Sequence, residues 1–321
     1  MRRRLRPPMH HYPPPACRFL QSQWHRCHLL RTLESGNPFT ILHLKDMFIP
    51  PWHPDYSETT WDVALNTRFA SLRFDVIDDA PRDAHDNLAL DEALLYAVAD
   101  GSRAPLFRMW DWSEAAVILG SYQSVRDEID VRHAQRLGFG FSRRVSGGGA
   151  MVVQPGKTLT WSLIVPETLL EGLSFRQSFA YLDMWCVRVL RALGVPAIYR
   201  PINDIASPGG KISGAAQCRR RRTVLHHVTM AYDMDNAMMW ELLRLDQPRN
   251  SEKGVASAVK RVTPLRDFID MPHAELRQLL IAAFGSLHTC TAATVNPTEL
   301  EDAARRRSEK FETGEWLYRV E

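Results

Sequence analysis

Arg143-Arg144-Val145-Ser146-Gly147-Gly148-Gly149-Ala150 is the stretch on which the reading of this chain turns. Three consecutive glycines leave the backbone unshielded, so a ligand can approach their N–H groups and a positive φ costs nothing. The two arginines before them supply fixed charge and bidentate donors. Together they suit an anionic, phosphate-bearing group cradled by backbone N–H groups. A surface turn between solvated charges has the same composition. Two common phosphate loops fail on spacing. Gly156-Lys157-Thr158 ends like a Walker A loop, but Met151 stands where its first glycine belongs, and Val152 breaks a G-x-G-x-x-G series.

A second stretch gives the first its meaning: Asn203-Asp204-Ile205-Ala206-Ser207-Pro208-Gly209-Gly210-Lys211-Ile212-Ser213-Gly214-Ala215-Ala216-Gln217. Lys211 follows two glycines and opens a strand of small residues. With nothing bulky beside it, its ammonium can enter a pocket and stabilise charge developing on a phosphate or acyl oxygen. A solvated hairpin lysine is the plainer alternative. His226 and His227 are adjacent in a strand-like stretch, so they point to opposite faces and do not share one metal.

Outward from these stretches the pattern is of strands clustered mid-chain with helices at intervals. Alternation predicts strands at 72–77, 106–110, 116–119, 138–144, 158–165, 197–200, 211–218 and 224–234. The pair at 106–110 and 116–119 flanks the polar turn Asp111-Trp112-Ser113-Glu114. Helical spacing covers the residues from 88 to 98, capped by Asp86-Asn87 and ended by Gly101. Further helices are expected at 127–137, 175–193, 236–243, 273–284 and 300–311. No repeat and no regular βαβ alternation is present. The fold class is therefore α+β, layered, with a mixed β-sheet packed with helices.

The chain has 321 residues and a net charge of +3, with 45% hydrophobic and 24% charged residues, ordinary values for a globular protein. The charge is uneven. Residues 1–33 hold seven arginines and no acid, which leaves 33 basic against 37 acidic residues beyond them. The basic balance thus belongs to the N-terminal segment, and nucleic-acid binding does not follow from it. Residues 1–70, rich in Arg, Pro and His, read as a disordered extension with some resemblance to a transit peptide, partly ordered from about 47. The folded domain is expected over 71–321. Cys17 and Cys27 match no zinc spacing. Five scattered cysteines fit a reducing, cytoplasmic setting, and no apolar run is long enough to span a membrane.

Taken together, Arg-Arg-x-Ser-Gly-Gly-Gly-Ala, Asn-Asp-Ile, Gly-x-Lys-Ile-Ser-Gly-Ala-Ala-Gln and Leu-His-His-x-Thr resemble the lipoate–protein ligase A family. The segments 87–93 (Asn-Leu-Ala-Leu-Asp-Glu-Ala) and 119–123 (Leu-Gly-Ser-Tyr-Gln) are similar to its N-terminal motifs. Lys253-Gly254-Val255 with 260–265 (Lys-Arg-Val-Thr-Pro-Leu) resembles its adenylate loop. The match runs in order from about 78 to 265, and 315–318 resembles the end of its catalytic domain. The resemblance implies a biotin/lipoate ligase catalytic domain of class II synthetase type. It implies activation of lipoate or octanoate by ATP as acyl-AMP, then transfer to a lysine. The acceptors would be lipoyl domains of 2-oxoacid dehydrogenase complexes or the glycine cleavage H protein. By position, Arg143, Arg144, Gly147, Gly148, Gly149, Ala150, Met151, Asn203, Asp204 and Lys211 would bind ATP or adenylate, with Lys211 catalytic. Gly148, Gly149, Lys211, Gly214, Ala215 and His227 would meet lipoate, with Ala150 and Val228 as further walls of the acyl slot. A Mg²⁺ ion would sit near Asp204.

Three departures bear on this. Val153 stands where the family frequently has histidine, and Val228 where it frequently has glycine. The family's small C-terminal accessory domain is not recognised, so either activity needs a separate accessory protein as partner or this is a minimal, divergent member. Related octanoyl- and lipoyltransferases use a cysteine and no ATP. In similar members that cysteine precedes the lysine-bearing strand, where this chain has Pro201-Ile202-Asn203-Asp204. Cys218, past the strand, keeps that alternative open; its plainer reading is a small buried hydrophobe. A lipoate-binding module without activity is the third reading. The run Arg219–Arg222 reads as a solvated hairpin tip, or as a surface steering an acidic acceptor.

Overall fold

The computed structural model describes residues 68–244, 257 and 260–320. The expectations for residues 1–67, including Cys17 and Cys27, and for Lys253-Gly254-Val255 lie outside the described residues. Among those described, eleven strands form two sheets: β1 (Arg73–Asp78), β2 (Leu106–Trp110), β3 (Ala116–Leu119), β4 (Gly140–Arg143), β5 (Met151–Val153), β6 (Thr158–Pro166), β7 (Ile198–Arg200), β8 (Asp204–Ser207), β9 (Gly210–Arg220), β10 (Thr223–Ala231) and β11 (Thr289–Ala293). The large sheet runs β11-β1-β2-β6-β10-β9-β8-β7, and the small one β4-β3-β5. Parallel pairs at β1 and antiparallel pairs through its centre make the large sheet mixed, as expected. The pair read as flanking one turn, β2 and β3, separates instead into the two sheets.

The helices are α1 (Ala84–Ala99), α2 (Val125–Glu128), α3 (Val131–Arg136), α4 (Phe175–Ala192), α5 (Asn236–Leu242), α6 (His273–Leu287), α7 (Pro297–Arg306) and α8 (Gly314–Leu317). The expected helix over 127–137 is two short ones, because Asp130 turns its carboxylate to the His133 N–H and caps a fresh start. The cap of α1 is Asp83, not Asp86-Asn87; Asp83 accepts from the Asp86 N–H at 2.8 Å. This frees Asn87 and Asp91, one turn apart, to face inward together. In α4, Ser174 and Gln177 form a capping box.

Two apolar layers close the large sheet. Trp161, Leu163 and Val228 pack against Phe179, Leu182 and Trp185 of α4 and Phe284 of α6. On the other face Ile164 and Leu225 meet Leu90 and Leu94 of α1. The adjacent His226 and His227 of β10 do point to opposite faces. His226 Nε2 lies 2.9 Å from Asp183 of α4, and His227 Nδ1 lies 3.2 Å from Asp91 of α1.

Residues 68–70, placed by the sequence in the partly ordered stretch ahead of the domain, pack against it. Phe69 is 9% exposed and packs edge-on against Phe74 and His288, while Arg68 donates to the Glu171 carbonyl at 2.9 Å. Phe69→Ala is therefore expected to cost about 3 kcal/mol, or about 6–12 °C in Tm for a domain of this size. An unchanged thermal melt would remove residues 68–71 from the core.

Candidate active site

The glycine stretch joins β4 to β5, which flank β3 on opposite edges. It must therefore cross the end of β3, at Gly120. Two backbone bonds fix the crossing: Arg144 N–H donates to Leu119 O at 3.0 Å and Ser121 N–H to Ser146 O at 2.8 Å. Gly148 adopts φ +89°, a region that favours glycine.

Both arginines, expected to offer their guanidinium groups to a ligand, are committed to the chain itself. Arg144 donates to the carbonyls of Gly147 at 2.6 Å, Gly149 at 2.8 Å and Ile118 at 3.2 Å, and to Ser146 Oγ at 3.1 Å. Arg143, 0% exposed, donates to Gly120 O at 2.9 Å and to Leu317 O of α8 at 3.0 Å. Burial, with the like charge of Arg143, lowers the Arg144 guanidinium to about 10, so it stays cationic at neutral pH. The arginines shape the loop by satisfying carbonyls that turn inward.

A cavity of about 330 Å³ opens between this loop, the centre of the large sheet and α5. Of the residues expected at the site, Arg144, Gly148, Gly149, Ala150, Met151, Asn203, Asp204, Lys211, Gly214, Ala215 and His227 line it. Arg143 and Gly147 do not line it, and Val228 lies on the opposite face of β10, packed in the core. His227, Thr229 and Ala231 take that wall, as strand alternation from His227 requires. Sequence reasoning had not found Leu88, Trp110, Thr158, Thr160, Met234, Met239, Leu243 and Ser257, which also line it. Their signal is the alternation Thr158, Thr160 along β6 and the apolar face of α5, which become a wall only once β6 pairs with β10.

Lys211 leaves β9 at its first turn, where its N–H donates to Arg261 O at 2.8 Å and its carbonyl accepts from Thr263 N–H at 2.7 Å. Its side chain lies across Gly214, where any Cβ would overlap the ammonium and stand 2.8 Å from Cε. Gly214 is thus the groove in which Lys211 rests. Nζ pairs with Asp204 Oδ1 at 2.9 Å, and Lys260 Nζ pairs with Asp204 Oδ2. Burial lowers the Lys211 pKa, and the Asp204 carboxylate opposes that shift. Two ammonium groups thus share one carboxylate at one end of a mostly apolar slot. A phosphate or acyl oxygen arriving there meets a net positive charge. Asp204 suits Mg²⁺ only as one carboxylate beside oxygens brought by a substrate. Among the described residues no cluster of three acidic, His or Cys side chains could hold a metal alone.

Ser257 reaches the loop from across the cavity. Its Oγ accepts from Ala150 N–H at 2.8 Å and from Gln123 Nε2 at 3.0 Å, and its N–H donates to Glu128 at 3.1 Å. Cys218 lies 5% exposed among Leu90, Ile164 and Leu225, and burial raises its thiol pKa. It is a core side chain. The tip of the β9–β10 hairpin is a two-residue turn, Arg221-Arg222, with φ of 47° and 59°. Among the described residues no helix is long and apolar enough to cross a membrane.

Comparison with known proteins agrees with this geometry. The family model described as "Lipoyl protein ligase A/B catalytic domain" matches residues 83–285. The octanoyltransferase LipM of Staphylococcus aureus is 27% identical over 275 residues, covering 76% of this chain and 97% of that protein. The bi-partite lipoate protein ligase of Thermoplasma acidophilum superposes with a TM-score of 0.66 at 25% identity, covering 77% of this chain and 96% of that one. A lipoate–protein ligase A bound with ATP gives 0.64 at 25% identity, covering 77% and 99%. The family match spans more than half of the chain and contains the glycine loop, Lys211 and His227. The chain belongs to the lipoyl protein ligase A/B catalytic-domain family.

Proposed function

We propose that this enzyme is an ATP-dependent lipoate–protein ligase: it activates lipoate or octanoate as acyl-AMP and transfers the acyl group to a lysine of a lipoyl domain. The observation that carries this reading is the Lys211 ammonium laid over Gly214, at the junction of the glycine loop and the apolar slot. One cation there can serve both half-reactions. In the first, a carboxylate oxygen attacks the α-phosphate, the bond to pyrophosphate breaks, and Lys211 offsets charge on the phosphoryl oxygens. In the second, the acceptor amine attacks the acyl carbon and AMP leaves; Lys211 then offsets charge on the carbonyl oxygen. Gly148–Met151 would approach the nucleotide through the backbone. The slot formed by Leu88, Trp110, Thr160 and His227 would take the acyl chain. A Mg²⁺ ion held by Asp204 and phosphate oxygens would supply further charge neutralisation at the phosphates.

The similarity to LipM favours a second reading, transfer of octanoyl groups without ATP. That chemistry needs a thiolate attacking a thioester carbonyl. No cysteine lines the cavity among the described residues, and Cys218 lies outside it in the core. One experiment separates the two. Wild-type protein given ATP with lipoate is expected to release pyrophosphate. Given octanoyl-carrier protein without ATP, it is expected to keep its intact mass. A mass gain of one octanoyl group that disappears in Cys218→Ser would replace the ligase by the transferase. A separate accessory chain, as in the bi-partite relative, is an added component to test if adenylate forms but transfer does not.

A further inference from the structure

Behind the slot runs a buried polar chain that the proposed chemistry does not use. Arg108 of β2 is 0% exposed, and all five of its N–H groups are engaged. Two go to Asp79 (2.9 and 2.7 Å), two to the oxygens of Asn87 (3.3 and 2.8 Å), and one to Asp91 Oδ1 (2.9 Å). Asp91 Oδ2 accepts from Ser162 Oγ at 2.8 Å and faces His227 Nδ1 at 3.2 Å. On the far side of the ring, His227 Nε2 lies 2.5 Å from Ser146 Oγ, in the glycine stretch.

The donors can be assigned by elimination. Asp91 is held ionised: burial alone would raise its pKa, but the contact with His227 and the charge of Arg108 outweigh that and lower it. An ionised carboxylate only accepts, so His227 Nδ1 must carry the proton. Ser146 Oγ already accepts from Arg144 Nε at 3.1 Å, so its own proton is free to go to His227 Nε2. The three groups resemble a catalytic triad in outline. Ser146, however, is 1% exposed and does not line the cavity, whereas His227 does. The arrangement therefore acts through position.

We propose that Asp91 is a positioning residue. With Ser146 it holds His227 as the neutral Nδ1–H form, and it thereby ties the wall of the acyl slot to the glycine loop. With both nitrogens satisfied, His227 presents an uncharged ring to the slot, which suits an apolar acyl chain. Ser146, fixed by that ring, fixes Arg144, whose remaining donors hold the Gly147 and Gly149 carbonyls. Burial lowers the His227 pKa; Asp91 opposes this, and Arg144 and His226 reinforce it. Asp91 and Arg144 are the charged groups facing the ring, with Arg108 behind Asp91; His226 acts through the strand from the opposite face.

The link to activity rests on the acyl-transfer reading; the tautomer does not, so the two can fail separately. In Asp91→Asn the new amide keeps the shape. Its oxygen stays on Arg108, its N–H replaces an acceptor opposite Nδ1, and His227 should switch to the Nε2–H form. Nitrogen–proton correlation spectra of ¹⁵N-labelled protein, assigned by comparison with His227→Gln, read the tautomer directly. Wild type is expected to show Nδ1–H, and Asp91→Asn to show Nε2–H. Ser146→Ala should keep Nδ1–H but move the Nε2 signal to that of an unbonded nitrogen. The rate with the acyl substrate should fall about tenfold in Asp91→Asn, the cost of one lost hydrogen bond, with KM for the acceptor unchanged. Its acid limb should move to lower pH, because the carboxylate that favours imidazolium is gone; general destabilisation would move the limb to higher pH. A charged or Nε2–H ring in wild type at pH 7, an unswitched ring in Asp91→Asn, or an acyl group found on Ser146 would overturn the proposal.

Discussion

Lys211→Ala is expected to lower acyl activation by about 10²–10³ or more, the usual loss when one preorganised charge-stabilising donor is removed. The fold should survive. Asp204 keeps Lys260 as a partner, and the Lys211 side chain is 29% exposed toward the cavity. Its backbone bonds to Arg261 and Thr263 do not depend on the side chain. Lys211→Arg should restore little, since the planar fork is larger than the groove over Gly214 and cannot present a point charge there. The wild-type enzyme should also lose activity on the alkaline side earlier than an ordinary lysine would dictate. The active form is the charged one, and burial lowers the pKa through which that charge is lost. Pyrophosphate release across a pH series checks both statements. Adenylation by Lys211→Ala at the wild-type rate would remove Lys211 from the chemistry.

Gly120→Ala is expected to abolish activity and to destabilise the domain by about 3 kcal/mol, the upper part of the range for overpacking. An added methyl would overlap the Gly148 carbonyl oxygen, stand 3.0 Å from its carbon and 3.2 Å from Arg144 Nη2. The obstacle is backbone, so no side chain can rotate away. Relief requires the glycine loop to lift off β3. That would break the Arg144–Leu119 and Ser121–Ser146 bonds and release Arg144 from its carbonyls. A thermal melt and an adenylation assay on the same preparation are sufficient. An active variant with the wild-type Tm would mean that the loop crosses with more room than its geometry gives it.

The site was legible where chemistry is carried by residue type and the backbone is short of side chains. The triple glycine, the Gly-Gly before Lys211 and the small residues after it all mark places where two chains or a ligand come close, and 11 of the expected residues do line one cavity. What misled was the direction of long side chains. Arg143 and Arg144 carry the charge expected of phosphate binders, yet backbone carbonyls claim their donors, Gly147 and Gly149 in the loop for Arg144 and Gly120 and Leu317 for Arg143, and sequence does not show which carbonyls turn inward. Val228 and His227 cannot share a wall on a regular strand; the partner of His227, Asp91, lies 136 positions away and decides which of the two faces the slot. The strands β5, β8 and β11 were missed because three to five residues carry too little alternation. They exist because a longer neighbour offers its edge. The division of β2 and β3 between two sheets follows from the glycine crossing, a long-range fact absent from either segment.

The clamp of Arg143 on Leu317 has a geometric corollary. Trp316 Nε1 returns a bond to Arg143 O at 2.8 Å, and Arg319 reaches Ser121 Oγ at 3.4 Å. The polypeptide leaving α8 therefore departs beside the loop that borders the cavity. A lipoyl domain fused after residue 320 through a short flexible linker would be held near that loop. Short flexible tethers give effective concentrations in the millimolar range. Modification of such a fused substrate would then be first-order in the fusion, insensitive to dilution, and measurable even where free substrate binds too weakly to detect.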